Sequence, residues 1–470
     1  MFSEFPRALV VGLATAATVV HAEDVLGVYV FHRHGDRTAK AWKPVNLTAL
    51  GADQVHSSGA FYRDRYIDSG ADFRVESLSS DIAVLSQLSV TSPVDSVLHN
   101  SALTFLQGLY PPTGMSETLA NGSKIEAPLN GYQYIPVDAV EDAATSKKAE
   151  SNAWLQSGSG CPNAEISSNN FFSSKEYKDM LTQTDAFYDR LVPVVKSSIS
   201  EDNVNFKNAY SVFDLINVAR VHNSSIPSEK LLNEETVDGL YNYASVHQWN
   251  LAYNESDPVR AIAGSVLSGQ IVDALEAIVE GEDEAPFFNV QFGAYGTFMS
   301  FFGLAQLPAA SPDFYGICDY ASSMAFELVT NATKPTAKDI SVRFLFSNGT
   351  AAEKDLTPFP LFGQEKTTLP WTDFKSGMLN FAINDDQHWC KLCGSTDAKC
   401  TGSDDSGDVT EASSPSGKGG VSKVVAGVIG ALVTLVVIFG IEAIIMFAAG
   451  LRLVKKSTLT GQATAPKPKA

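Results

Sequence analysis

An α/β fold follows from the way strand-like and helix-like segments alternate along these 470 residues. Residues 25–30 form an apolar, partly β-branched run of strand length, the pattern of a buried strand. Residues 288–304 read as a second strand that passes directly into a helix. Residues 206–220, 237–252 and 259–280 carry helical periodicity, the last with Pro258 at its start and Asp257 as its expected cap. A chain of this length exceeds the size at which one core stops growing, so a main domain with a sizeable insertion is expected.

The first strand runs into Phe31-His32-Arg33-His34-Gly35-Asp36-Arg37-Thr38. In an open α/β sheet the carboxyl ends of the strands form the ligand-binding edge, so this segment is placed where a substrate would sit. Two guanidinium groups flanking an imidazole supply counter-charge for a phosphoryl group and a nitrogen nucleophile to attack it. Gly35 lets the backbone come close to a ligand.

This segment resembles the Arg-His-Gly-x-Arg-x-Pro signature of the histidine acid phosphatases, a branch of the phosphoglycerate-mutase-like superfamily. Thr38-Ala39 stands where that pattern ends in proline. Similar to the family, too, are Asn100-Ser101-Ala102-Leu103-Thr104-Phe105-Leu106-Gln107-Gly108-Leu109-Tyr110-Pro111-Pro112, then Val342-Arg343-Phe344-Leu345-Phe346-Ser347-Asn348-Gly349, and the Trp389-Cys390-x-x-Cys393 tail. The resemblance covers most of residues 25–400. It implies a three-layer α/β/α sandwich with a mostly helical insertion at about 131–253 that covers the active-site edge. It implies that His34 is a nucleophile forming a phosphohistidine, that Arg33 and Arg37 bind phosphate, and that no metal or organic cofactor takes part. The substrate it implies is a phosphate monoester, and the protein a divergent, membrane-anchored, fungal member.

Two departures stand against these matches. The family carries an arginine four residues before its Ser-Ala pair, and Val97 occupies that position here. The family's His-Asp, which supplies a phosphate contact and the acid for the leaving group, is replaced by Ala294-Tyr295, and no His-Asp dipeptide occurs in the chain. Removing a general acid lowers a rate by about 10² to 10⁴, roughly 3 to 5 kcal/mol at the transition state. The expected activity is therefore an altered or reduced phosphomonoesterase, with a catalytically silent cell-surface relative as the alternative and the proton donor unassigned. His222, His247 and His388 are isolated in sequence and read as surface or packing residues.

Charge and composition narrow the setting. With 34 Lys and Arg against 53 Asp and Glu, the net charge of −19 argues against nucleic acid and against adsorption to anionic membranes. Phosphate must then be attracted by a local basic pocket. Neither a Walker pattern nor another phosphate-cradling glycine loop is present.

The chain also reads as exported. Residues 1–22 have the charge, apolar stretch and small-x-Ala end of a signal peptide cut before Glu23. Acceptor sequons at Asn46, Asn121, Asn223, Asn254, Asn331 and Asn348 suit the secretory pathway. Five cysteines, Cys161, Cys318, Cys390, Cys393 and Cys400, predict a disulfide framework that leaves at least one unpaired, with the connectivity open. Residues 401–423 form a polar stalk. Residues 424–451 are long and apolar enough to span a membrane despite Glu442. The basic residues of 452–470 place the tail in the cytoplasm, giving a type I single-pass protein at the cell surface or in a vacuolar or endomembrane lumen. Gly427 and Ala431 permit close helix contact and a homo-oligomer.

Overall fold

A computed structural model describes residues 23–140, 160–223, 226, 230–396 and 400. The expected signal peptide, stalk, membrane span and cytoplasmic tail lie outside the described residues.

The strands are β1 (Asp24–Arg33), β2 (Leu88–Pro93), β3 (Ser116–Thr118), β4 (Lys124–Glu126), β5 (Asp138–Val140), β6 (Phe288–Gly293), β7 (Ser323–Thr330), β8 (Ile340–Ser347), β9 (Thr357–Pro358) and β10 (Thr368–Pro370). The first helices are α1 (Ala49–Tyr66), α2 (Ser96–Leu109) and the single turn α3 (Pro128–Gly131). Then come α4 (Pro162–Asn170), α5 (Lys175–Asp189), α6 (Val192–Val195), α7 (Ala209–His222) and α8 (Glu234–Ala252). The series ends with α9 (Ile262–Glu280), α10 (Tyr295–Leu304), α11 (Trp371–Leu379) and α12 (Asp386–Cys393).

The main sheet runs β10-β8-β7-β1-β6-β2-β5, with β9 added beside β8, while β3 and β4 form a separate hairpin. β1, β6, β2 and β5 are parallel, and β7 and β8 antiparallel, so the carboxyl ends of β1, β6 and β2 meet the start of β7 at one edge. β5 adds a strand to the sheet at the front of the stretch 131–253.

Strand alternation builds a core on each face of the sheet. Tyr29 and Phe31 of β1 pack with Phe326, Phe344 and the inner faces of α9, α10 and α11. Val28 and Val30 pack on the other side with Phe288, Val290, Phe292 and the aromatic faces of α1 and α2. The result is a helix–sheet–helix arrangement. Helices α5, α7 and α8 close a third cluster around Tyr188, Phe206, Val212 and Leu240.

One local reading needs correction. The expected helix at 259–280 begins with a 3₁₀ turn, Pro258–Ala261, and Asp257 makes no side-chain cap bond to it. Pro258–Glu280 is also long and apolar enough to cross a membrane by composition, but it is largely buried in the core. The disulfides are Cys161–Cys393 and Cys390–Cys400, and Cys318 is the free, buried thiol. Glu23, at the expected mature start, forms an ion pair with Arg343 at 2.5 Å.

Candidate active site

The loop after β1 is fixed by close backbone packing. A Cβ on Gly35 would lie 2.2 Å from the Gly51 carbonyl oxygen, and one on Gly51 would lie 2.0 Å from that of Asp36, so the N-terminus of α1 and the loop touch through two glycines. The Gly35 N–H donates to Ser101 Oγ at 3.3 Å, and that hydroxyl donates to the Val97 carbonyl at 2.7 Å, which ties the loop to α2. Asp36 N–H donates to Gln54 Oε1 at 2.8 Å.

Arg33, His34 and Arg37 come together there, all buried. The His34 Nδ1 lies 2.8 Å from the Gly35 carbonyl oxygen. A carbonyl only accepts, so Nδ1 carries the proton and the lone pair resides on Nε2. Burial, then the Arg33 and Arg37 charges, hold His34 well below the ordinary histidine range, and the imidazole stays neutral. This is the state a nitrogen nucleophile needs.

The two arginines differ. Arg33 donates to the Cys318 carbonyl and lies between two aromatic rings, with its Cζ 4.5 Å from the centre of Tyr320 and 5.3 Å from that of Tyr295. Its Nε is buried with no hydrogen-bond partner. Arg37 forks onto Asp214 of α7, with Nη2 to Oδ1 at 2.7 Å and Nη1 to Oδ2 at 3.3 Å. Nη2 also donates to Tyr210 at 3.0 Å, and Asp214 Oδ2 accepts the Lys40 N–H at 2.8 Å.

Ala294 and Tyr295 follow the end of β6, beside the end of β1, where Arg33 is in register with Gly293. Both are buried, and neither is an acid suited to protonating a leaving group: burial pushes the Tyr295 phenol well above its ordinary value. Its hydroxyl donates to Gln248 Oε1 at 2.9 Å and its ring lies 4.9 Å from Tyr210. Tyr210, Tyr295, Lys40, Lys207, His247 and Gln248 also line a cavity of about 150 Å³. Val97 is buried on the first turn of α2 and brings no charge.

Three contributors escape a reading of the sequence. Asp214 sits on a helix far along the chain. His222, eight residues later on the same helix, is a surface residue as read, and it reaches Asp36 with Nε2 2.6 Å from Oδ1. Tyr320 comes from the segment before β7, whose Ala321 adopts φ 58° and donates its N–H to the His34 carbonyl at 2.9 Å. The Tyr320 ring centre is 5.6 Å from that of His34 and 5.8 Å from Arg37 Cζ. Asn348 Oδ1 accepts the Asp319 N–H at 2.8 Å and so supports the same segment.

Of the six sequon asparagines, Asn46, Asn121 and Asn331 are exposed, and Asn223, Asn254 and Asn348 are half-buried.

Residues 40–347 match the family model of the histidine phosphatase superfamily, branch 2, a range that begins just beyond Arg37. No curated protein matches the sequence. Among solved structures, the phytase from Citrobacter braakii is similar at 11% identity and TM-score 0.51, covering 77% of this chain and 98% of its own. The Klebsiella sp. ASR1 phytase is similar at 12% identity and TM-score 0.50, covering 77% and 95%. The D. castellii phytase matches at 12% identity and TM-score 0.50, covering 83% and 85%. Identities this low carry the fold alone.

Proposed function

This chain belongs to the histidine phosphatase superfamily, branch 2, and from that premise we propose that it hydrolyses phosphate monoesters through a phosphohistidine on His34. The observation that carries the reading is the Nδ1–H bond to the Gly35 carbonyl in a pocket that keeps the imidazole neutral. Nε2 then attacks phosphorus and the leaving oxygen departs with the bond pair. Water releases the phosphoryl group in a second step. Arg33 holds the peripheral oxygens and stabilises their charge in the transition state. Arg37 contributes less than a free arginine would, because Asp214 already occupies its fork.

Turnover is reduced by the residues at 97, 294 and 295. The protein acts outside the cytoplasm, on a body that begins at Glu23 and is tethered by the span at 424–451. The phytase neighbours make inositol phosphates one substrate class to assay beside simple esters.

A second reading has one observation behind it: Tyr320 covers both His34 and Arg33. On that reading the fold is retained for binding or surface structure without turnover. Phosphate release by the purified protein at acidic pH, with trapping of an acid-labile phosphoenzyme, separates the two. Release that disappears in His34→Ala supports hydrolysis; no release and no phosphoenzyme with any ester supports the silent reading.

A further inference from the structure

We propose that this site takes its phosphate ester as the monoanion, and that the ester's own acidic proton, rather than a side chain, neutralises the departing oxygen. The inference rests on His34 as the nucleophile and names the ionic form of the substrate.

The first ground is charge. Arg37 and Asp214 are each 3% exposed and joined through both guanidinium nitrogens, so that pair enters the pocket as a neutral unit. Position 97 adds no cation. Arg33 donates to the Cys318 carbonyl and lies against the Tyr320 ring, with no carboxylate ion pair among the described residues. The Lys40 ammonium lies 4.8 Å from the Tyr210 ring centre.

The acidic groups around them complete the balance. Asp36, on the same loop, is held by His222 of α7. Asp319, before β7, feels Arg33 and Lys354, while desolvation raises its carboxyl above the ordinary range. Desolvation keeps the surrounding phenols and thiol neutral: Tyr210 of α7, Tyr295 of α10 and Tyr320 are all raised, and the Cys318 thiol is pushed up to about 11. His247 of α8 is lowered to about 4 and is also neutral. With Arg37 committed to Asp214, Arg33 is the arginine left for the phosphate and Asp319 lies in its field, so the pocket matches a single negative charge better than two. A buried surplus charge is expensive.

The second ground is the missing acid. Ala294 cannot donate a proton, and the raised Tyr295 phenol is already committed to Gln248. A phosphate monoester has its second ionisation near pH 6, so in acid it carries a P–OH. The Nε2 lone pair forms the N–P bond, the P–O ester bond breaks toward the leaving oxygen, and the P–OH proton moves to that oxygen. An alcohol and a zwitterionic phosphohistidine of net charge −1 result. Water then adds to phosphorus as the N–P bond breaks, which gives H₂PO₄⁻ and neutral His34. Charge and protons balance in both steps.

The test uses the full chain and two esters with one leaving group, a phosphate and its phosphorothioate, whose second ionisation is more acidic. The kcat/KM of each should fall tenfold per pH unit above that ester's own second ionisation, with the midpoint moving between the two esters. Inorganic phosphate, followed by calorimetry, should bind more weakly with the same slope above its own second ionisation, which lies higher than the ester's, and Asp214→Asn, by freeing Arg37, should flatten that slope. The binding measurement on the unaltered protein stands even where the variant fails to fold. A midpoint common to both esters, or one displaced by Asp319→Asn, overturns the inference and leaves the hydrolytic reading standing. No release from any ester, with phosphate bound equally at pH 5 and pH 8, overturns both.

Discussion

Tyr320 lies with its ring centre 4.5 Å from the Arg33 guanidinium carbon, the placement of a cation–π pair. The same ring contacts His34, so one side chain spans the phosphate ligand and the nucleophile. A phosphate that reaches Arg33 must compete with that ring. Such contacts are worth roughly 1 to 2 kcal/mol when desolvated. Tyr320→Ala should therefore tighten inorganic phosphate binding about fivefold or more and raise kcat/KM on bulky esters, as read by calorimetry and phosphate release. Unchanged or weaker phosphate binding would mean that the ring supports the site instead of occupying it.

His34→Ala removes the nucleophile while leaving Arg33 and the Asp214–Arg37 pair in place. Phosphate release should fall to background and the acid-labile phosphoryl label should vanish, with unfolding free energy altered by about 1 to 2 kcal/mol. A labelled or fully active variant would assign the attack to another group.

Gly51 tests the contact that aims the loop. Its missing Cβ would fall 2.0 Å from a backbone oxygen of Asp36, a clash that neither α1 nor the loop can relieve by turning a side chain. Gly51→Ala should destabilise the protein by about 2 kcal/mol or more and depress activity further by moving His34. Denaturant unfolding together with phosphate release measures both. Unaltered values in both would show the contact to be soft.

These residues mark how far the sequence could be read. The helix carrying Ser101 and the strand-to-helix passage at 293–295 were legible as short periodic segments, while the first strand, read as 25–30, runs on through Arg33, so His32 and Arg33 belong to the strand and the loop begins at His34. Asp214 was not legible, because it meets Arg37 across 177 residues and an aspartate on a helix ordinarily reads as solvated surface. The His222–Asp36 bond and the Tyr320 cover were hidden for the same reason: each depends on how the helices between 162 and 252, or the segment before β7, dock on the sheet edge. Cysteine spacing likewise gave the framework without the pairing of Cys161 to Cys393, 232 residues apart.

Buried histidines set the acid limit of stability. Burial lowers His32 and His247 to about 4, and His34 well below its ordinary value, against about 6.5 in the unfolded chain. Between pH 6.5 and 4 the unfolded chain binds more protons than the folded one, so stability rises with pH across that window and is lost as pH falls through it. His32 and His247 each account for on the order of 3 kcal/mol over the whole window. Urea unfolding from pH 4 to 7 should show the decline, with a shallower slope in His32→Leu. Stability that increases on acidification from pH 6.5 would refute this account.

Leaving-group dependence tests the departure at Ala294-Tyr295. With no side-chain acid, and with no proton left on the ester above its second ionisation, departure there depends on the acidity of the alcohol released, so above that pH aryl phosphates should be cleaved far better than alkyl or sugar phosphates. The pair lies at the start of α10, where the helix dipole favours a carboxylate. Val97 lies one turn before Ser101, whose hydroxyl touches Gly35, so an arginine there would enter near the phosphate. Ala294→His, Tyr295→Asp and Val97→Arg combined should raise alkyl-ester turnover by up to about 10² to 10⁴ and aryl-ester turnover much less. The substitution also gives up the Tyr295–Gln248 bond and the packing on Tyr210, so its stability is measured alongside. Similar kcat/KM for alkyl and aryl esters in the natural protein above the esters' second ionisation would show that a side chain already delivers the proton, and the account of a site lacking its acid would be wrong.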